Sequence, residues 1–185
     1  MGKIPVFQPK TEVKLLYSPE NLFVIFRVCE RYVRCVNTQT NGKVYEDSCV
    51  EFFFAPDAKF PERYFNLEIN CGGTALMQFH TVARKDFQMV SPENIGKIEI
   101  AHSMPKITEP EISESVTWTI ACRIPFEMLS VYCEITKPKP GVQWKANFYK
   151  TASNNSNPHY LTWKKIENEK PDFHLPNFFA TLYFQ

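Results

Sequence analysis

The chain has 185 residues, enough for one well-buried core and short for two. Its 21 Lys and Arg against 20 Asp and Glu leave a formal charge of +1, so no basic field draws phosphate backbones and nucleic acid is not an expected partner. Aromatics make up 15% of the residues, with 16 Phe against 6 Gly, a composition that fills the space between sheets more readily than between helices.

No run reaches the roughly 18 to 20 apolar residues of a membrane-spanning helix, so no membrane partner is expected. Met1 to Lys10 lacks the apolar stretch of a signal peptide. Localisation stays open: secreted or periplasmic if a leader has been removed, cytoplasmic otherwise. From the N-terminus, runs rich in Val, Ile, Phe, Tyr and Thr occupy Val13 to Tyr17, Leu22 to Cys29, Cys49 to Ala55, Arg63 to Cys71 and Ala75 to Val82. Further runs are Ile98 to His102, Ser115 to Arg123, Val142 to Thr151, Tyr160 to Trp163 and Phe178 to Phe184. Turn signals separate them, among them Asn41-Gly42, Pro56-Asp57, Gly72-Gly73 and Lys139-Pro140-Gly141. The pattern predicts an all-β, antiparallel sandwich of jelly-roll type over residues 1–185, layered as in immunoglobulin domains. One short helix is expected, at Pro125 to Leu129. No internal repeat or linker divides the chain.

Alternation within the runs sorts side chains onto two faces. Phe65, Leu67, Ile69 and Cys71 form an apolar row opposed by Tyr64, Asn66, Glu68 and Asn70, and Val116, Trp118, Ile120 and Cys122 are opposed by Thr117, Thr119 and Ala121. Trp118 and Trp144 are expected in the core. The six cysteines, Cys29, Cys35, Cys49, Cys71, Cys122 and Cys133, show no CxxC or metal spacing and read as buried free thiols.

Catalytic signatures are absent. His80, His102, His159 and His174 are scattered, no GxSxG or HExxH occurs, and Gly72-Gly73 reads as a hairpin turn rather than a phosphate loop. Glu51 and Glu68 would make a glycosidase pair if their strands were neighbours. Pairing with Arg27, Lys145 or Lys150, or with a cation, is the plainer role for them. Sugar recognition demands an aromatic plane for the C–H face of a pyranose and polar groups for its hydroxyls. Tyr45, beside the acidic segment Glu46 to Glu51, and Trp163, after the polar loop Ser153 to Pro158, meet the first demand.

The segment Val44-Tyr45-Glu46-Asp47-Ser48-Cys49-Val50-Glu51-Phe52-Phe53 resembles carbohydrate-binding module family 9 and its DOMON-like relatives. Tyr64 to Asn70, Trp144 to Lys150, His159 to Trp163, Pro171 to His174 and Phe178 to Phe184 are similar to later parts of that family, in order. The resemblance implies a non-catalytic β-sandwich that holds a terminal mono- or oligosaccharide between two aromatics, here Tyr45 and Trp163. Glu51, Asn66, Glu68, Asn70, Arg84, Asn147, Lys150 and His159 are the polar candidates. It implies no required cofactor, structural calcium in some relatives, and work in bacterial polysaccharide catabolism beside a glycoside hydrolase. A DOMON-like haem site would instead draw on Met77, Met89, His80 and His174.

Overall fold

The computed structural model describes residues 5–185. In chain order the strands are β1 (Lys10–Tyr17), β2 (Asn21–Glu30), β3 (Val33–Cys35), β4 (Cys49–Ala55), β5 (Tyr64–Asn70), β6 (Ala75–Val82) and β7 (Asp86–Met89). There follow β8 (Glu99–His102), β9 (Thr108–Ile112), β10 (Val116–Pro125), β11 (Gln143–Ala152), β12 (His159–Thr162) and β13 (Ala180–Tyr183). Each of the ten runs expected from composition is a strand. The short strands β3, β7 and β9 were not among the expected runs.

A four-stranded sheet, ordered β1-β2-β10-β8, packs against a larger one ordered β12-β11-β4-β5-β6-β7. β11 is long enough to serve two partners on one edge: its first half pairs with β13 and its second with β12. All these pairs are antiparallel, as a chain of hairpins and returning strands requires. The β5–β6 turn depends on glycine at both positions: Gly73 has φ +82°, and a Cβ on Gly72 would lie 2.5 Å from the Lys106 carbonyl oxygen.

Two one-turn helices punctuate the sheets. α1 (Pro92–Ile95) is capped by Ser91, whose Oγ accepts from the Asn94 N–H at 3.2 Å. α2 (Phe126–Leu129) was expected; Pro125 ends β10 and sits at the N-cap in extended conformation rather than in the first turn.

The core lies between the sheets. Phe52 stacks on Phe148 with centroids 4.7 Å apart, and Phe54 lies between Phe65 and Trp144 at 5.4 and 5.9 Å. Trp118 and Trp144 are buried as expected, and each indole N–H has an acceptor: Glu30 Oε1 and the Thr136 carbonyl, both at 2.8 Å. All six cysteines are free, with Cys35, Cys49, Cys71 and Cys122 buried. Cys29, on the outward parity of β2, and Cys133 are half-buried.

One end of this apolar core holds a charge pair. Lys150 on β11 points inward, its Nζ 2.9 Å from Glu30 Oε2 on the opposite sheet and 3.0 Å from His159 Nε2. His159 Nδ1 lies 2.7 Å from the Asn157 carbonyl oxygen, so Nδ1 carries the proton and Nε2 accepts from the ammonium. Burial, then the neighbouring Lys150 charge, lowers the His159 pKa to about 3 and keeps the ring neutral. Lys150→Ala would strand Glu30 without its counter-charge, and should cost about 3–5 kcal/mol in chemical denaturation. The double variant Glu30→Gln/Lys150→Met should lose less than Lys150→Ala alone. A larger loss in the double variant would show that the pair stabilises the fold beyond mutual neutralisation.

Candidate functional site

The outer face of the large sheet carries the polar rows. On β4 it presents Glu51 and Phe53, on β5 Tyr64, Asn66, Glu68 and Asn70, on β6 Leu76, Gln78 and His80, and on β11 Asn147, Tyr149 and Thr151. Residues 163–179 run back over part of this face. Ile166, Phe173 and Phe179 bury against Phe53, Ala55, Tyr64 and Tyr149, with Tyr149 stacked on Phe173 at 4.1 Å. The part left uncovered is a cleft of about 430 Å³, within the roughly 300–1,000 Å³ of small-molecule sites.

Glu51 and Glu68 form its floor. They are direct cross-strand partners and both are buried, at 3% and 6% exposure. Their carboxyls therefore project from neighbouring positions on one surface. Asn66 Nδ2 donates to Glu68 Oε1 at 2.9 Å, whereas buried Glu68 Oε2 has no hydrogen-bond partner among the described residues. Burial is the main cause that raises both carboxyl pKa values: Glu68 reaches about 7, and Glu51, which also feels the Glu68 charge, moves well above the carboxylate range.

Aromatic walls rise from a turn and a strand. Tyr45 stands in a 3-10 turn, Val44–Glu46, and Tyr160 lies on β12 opposite Thr151 of β11. Arg84, in the β6–β7 turn, reaches over the rim to Asp172, its Nε and Nη2 donating to Oδ1 at 3.0 and 2.5 Å. Asp172 Oδ1 also accepts from the His174 backbone N–H at 3.0 Å. Burial raises the Asp172 pKa, but these partners outweigh it and hold the carboxyl below its usual range. His174 Nδ1 is 2.8 Å from the Tyr64 hydroxyl, and His80 stacks on Tyr64 at 4.8 Å. Burial, followed by the Arg84 charge, lowers the pKa of His80 to about 4 and of His174 to about 3, so neither ring supplies a cation.

Of the candidates read from sequence, Tyr45, Glu51, Glu68 and Arg84 meet in this cleft. Asn66 lies beneath it, supporting Glu68 and close to His80 Nε2 at 3.1 Å. The others are elsewhere. Asn70 is saturated by Asp47 Oδ2, the Asn37 carbonyl and the Thr74 N–H. Asn147 fastens the start of the covering segment through Thr162 Oγ1 and the Lys164 backbone. Lys150 and His159 face the interior, because their parity on β11 and β12 is opposite to that of Thr151 and Tyr160. Lys150 therefore pairs with Glu30, not with Glu51 or Glu68, while Arg27 pairs with Glu12 and Lys145 donates to Thr181. Trp163 lines a separate depression with Thr11, Phe26, Phe148 and Leu161, so the fold does not bring it together with Tyr45. Tyr160, Gln78, Ser153 and Asp172 were missed. Tyr160 was legible only with the β11–β12 register, which assigns it to the face of Glu51.

The haem set does not converge as a whole: Met77 lies in the core between the sheets, whereas His80, three residues on, is on the outer face, where its ring centroid lies 4.8 Å from that of His174. Among the described residues no three His, Cys, Asp or Glu side chains gather as a metal set. Asp47, in the acidic segment, spends its carboxylate on the Val36 and Asn37 N–H groups and Asn70, so these donors do not fit a calcium site.

A two-sheet antiparallel sandwich with an aromatic-walled, carboxyl-floored cleft on one outer face is the form of a small-ligand binding module. The chain belongs to carbohydrate-binding family 9, whose family model matches residues 4–184. It is similar to a solved structure from Bacteroides uniformis, provisionally described as a carbohydrate-binding protein. That match has 31% identity and a TM-score of 0.87, and covers 97% of this chain and 80% of that one. Two structures of a family 9 carbohydrate-binding module from Caldicellulosiruptor kristjanssonii share the fold. The cellotriose complex matches at 12% identity and TM-score 0.63, and the glucose complex at 13% and 0.58. Each covers 97% of this chain, which spans 77% and 78% of theirs. No curated protein matches the chain.

The Glu68 shift gives a stability prediction. A carboxyl with a folded-state pKa raised from 4.5 to about 7 contributes stability that is present below pH 4.5 and lost as pH rises through 7. Glu68→Gln keeps the acceptor for Asn66 and removes the titration. It should match the wild type at pH 4 and exceed it at pH 8 by on the order of 2 kcal/mol, roughly 4–8 °C in Tm. An equal or lower Tm at pH 8 would mean that the carboxylate is accommodated without penalty.

Proposed function

We propose that residues 1–185 act as one non-catalytic carbohydrate-binding domain that takes a sugar into the cleft between Tyr45 and Tyr160. The observation that carries this reading is the meeting of two tyrosines, one from the 3-10 turn before β4 and one from β12, over a floor of buried carboxyls. A pyranose needs both: aromatic planes for its C–H faces and fixed acceptors for its hydroxyls. Tyr160 thus takes the role that the family resemblance assigned to Trp163. Membership of family 9 supports the same reading, as do the cellotriose and glucose bound by the Caldicellulosiruptor module.

Binding is favoured over hydrolysis by the placement of the carboxyls. A glycosidase acid and its partner flank the scissile bond from two sides. Glu51 and Glu68, adjacent on one sheet surface, lie on the same side of anything that fills the cleft. The domain would serve bacterial polysaccharide catabolism, delivering or retaining glycans for a glycoside hydrolase. Calcium is not part of this reading, because Asp47 spends its carboxylate on the Val36 and Asn37 N–H groups and on Asn70, and EDTA should leave Tm unchanged.

A glycan array followed by calorimetry tests the assignment. Tyr45→Ala and Tyr160→Ala should each weaken the selected sugar at least tenfold, about 1.4 kcal/mol or more, with Tm preserved within a few degrees. Trp163→Ala should bind within twofold of wild type. Loss of binding in Trp163→Ala alone would transfer the site to the depression beside β12.

A further inference from the structure

We propose that the cleft selects a sugar bearing an amino group, bound as its ammonium with the positive charge seated between Glu51 and Glu68. The inference rests on the sugar-binding reading of the cleft and names the class of sugar.

The floor holds two acids with no ion-pair partner among the described residues. Glu51 and Glu68 are direct cross-strand neighbours and more than nine-tenths buried, and neither forms an ion pair among the described residues. The cations near them are committed elsewhere. Arg84 is held at the rim by Asp172, and Lys150 projects through the far side of β11 to Glu30. His80 and His174 are neutral, with His80 Nε2 directed at Asn66 and Gln78 and His174 Nδ1 at Tyr64. Tyr149, beside Glu51 on β11, donates its hydroxyl away from the floor to the Phe173 carbonyl at 3.2 Å.

The hydrogen-bond inventory points the same way. Glu68 Oε1 has its Asn66 donor, but Oε2 is buried without one among the described residues, on a side chain that lines the cleft. A buried acceptor left unmade is costly, and two adjacent buried acids cannot both ionise cheaply. A sugar hydroxyl can donate one bond and leaves the repulsion in place. An ammonium carries three donors and the missing charge, so it can satisfy Glu51 and Glu68 together. As it enters, the pair releases any proton it holds to solvent and binds fully ionised. An anionic sugar would add a third negative charge and is selected against.

The test compares glucosamine, galactosamine and mannosamine with their parent hexoses and N-acetyl derivatives by calorimetry at pH 7. At least one amine should bind tenfold or more tighter than both its parent and its N-acetyl form. In Glu51→Gln/Glu68→Gln, with folding checked by melting, that preference should fall below twofold while the parent hexose is still bound. Between pH 5 and 7 the wild-type affinity for the amine should rise as Glu68 begins to ionise, and that for the parent should stay level or fall. Parent or N-acetyl sugars bound as tightly as the amine would overturn the inference and leave the sugar-binding reading standing. Silence from all nine sugars, with the glycan array also blank, would overturn both.

Discussion

The large sheet has two sides to bury, and alternation along β4, β5 and β11 supplies each with different chemistry. Inward positions give Phe52, Phe54, Phe65 and Trp144, which close-pack against the smaller sheet. Outward positions give Glu51, Asn66, Glu68 and Asn147, which bury at far greater cost unless they find partners. The fold answers by laying residues 163–179 over part of the outer face, and Asn147 holds the start of that segment through the Lys164 backbone. The rest stays open. Its two carboxyls have no ion-pair partner among the described residues, and this is what makes an otherwise structural surface the proposed site.

The opposite parity of the same strands stabilises the frame around that site. Lys150 and His159 point inward from β11 and β12 while Thr151 and Tyr160, each one residue further on, face the cleft. The Lys150–Glu30 pair thus ties the hairpin bearing the Tyr160 wall to β2 of the other sheet. Burying two charges is a poor route to stability in itself, but it fixes one arrangement of strands against alternatives in which the charges would be unmatched. Arg84 and Asp172 do comparable work at the rim, joining the β6–β7 turn to the covering segment where both are still partly solvated.

Much of the architecture was legible because period-two patterning survives wherever one face of a strand is apolar. Ten of the strands and the core tryptophans Trp118 and Trp144 followed from it, while the hairpin at Gly72-Gly73 followed from its turn residues and the family from the resemblance of segments such as Val44 to Phe53. The site was legible only in part. Glu51 and Glu68 stood out as acids on apolar strands, and Tyr45 as an aromatic in a polar segment. Lys150, His159, Asn70 and Asn147 looked equally available, because composition does not say which polar side chain is already satisfied by the fold. Trp163 stood out by its position after the polar loop Ser153 to Pro158 and by the family resemblance, whereas Tyr160 did not. The decision belonged to strand register, since a shift of one residue along β12 exchanges the cleft for the opposite face.

The central claim is that ligand seats on the outer face of the large sheet, over Glu51 and Glu68 and against Tyr45 and Tyr160. An NMR titration of isotopically labelled protein with an array-selected sugar tests it most directly. The account predicts shifts in the amides of Glu51, Gln78, Thr151 and Tyr160, with the indole N–H of Trp163 unmoved. Movement of the Trp163 indole together with the amides of Thr11 and Leu161, while the cleft amides stay still, would contradict it.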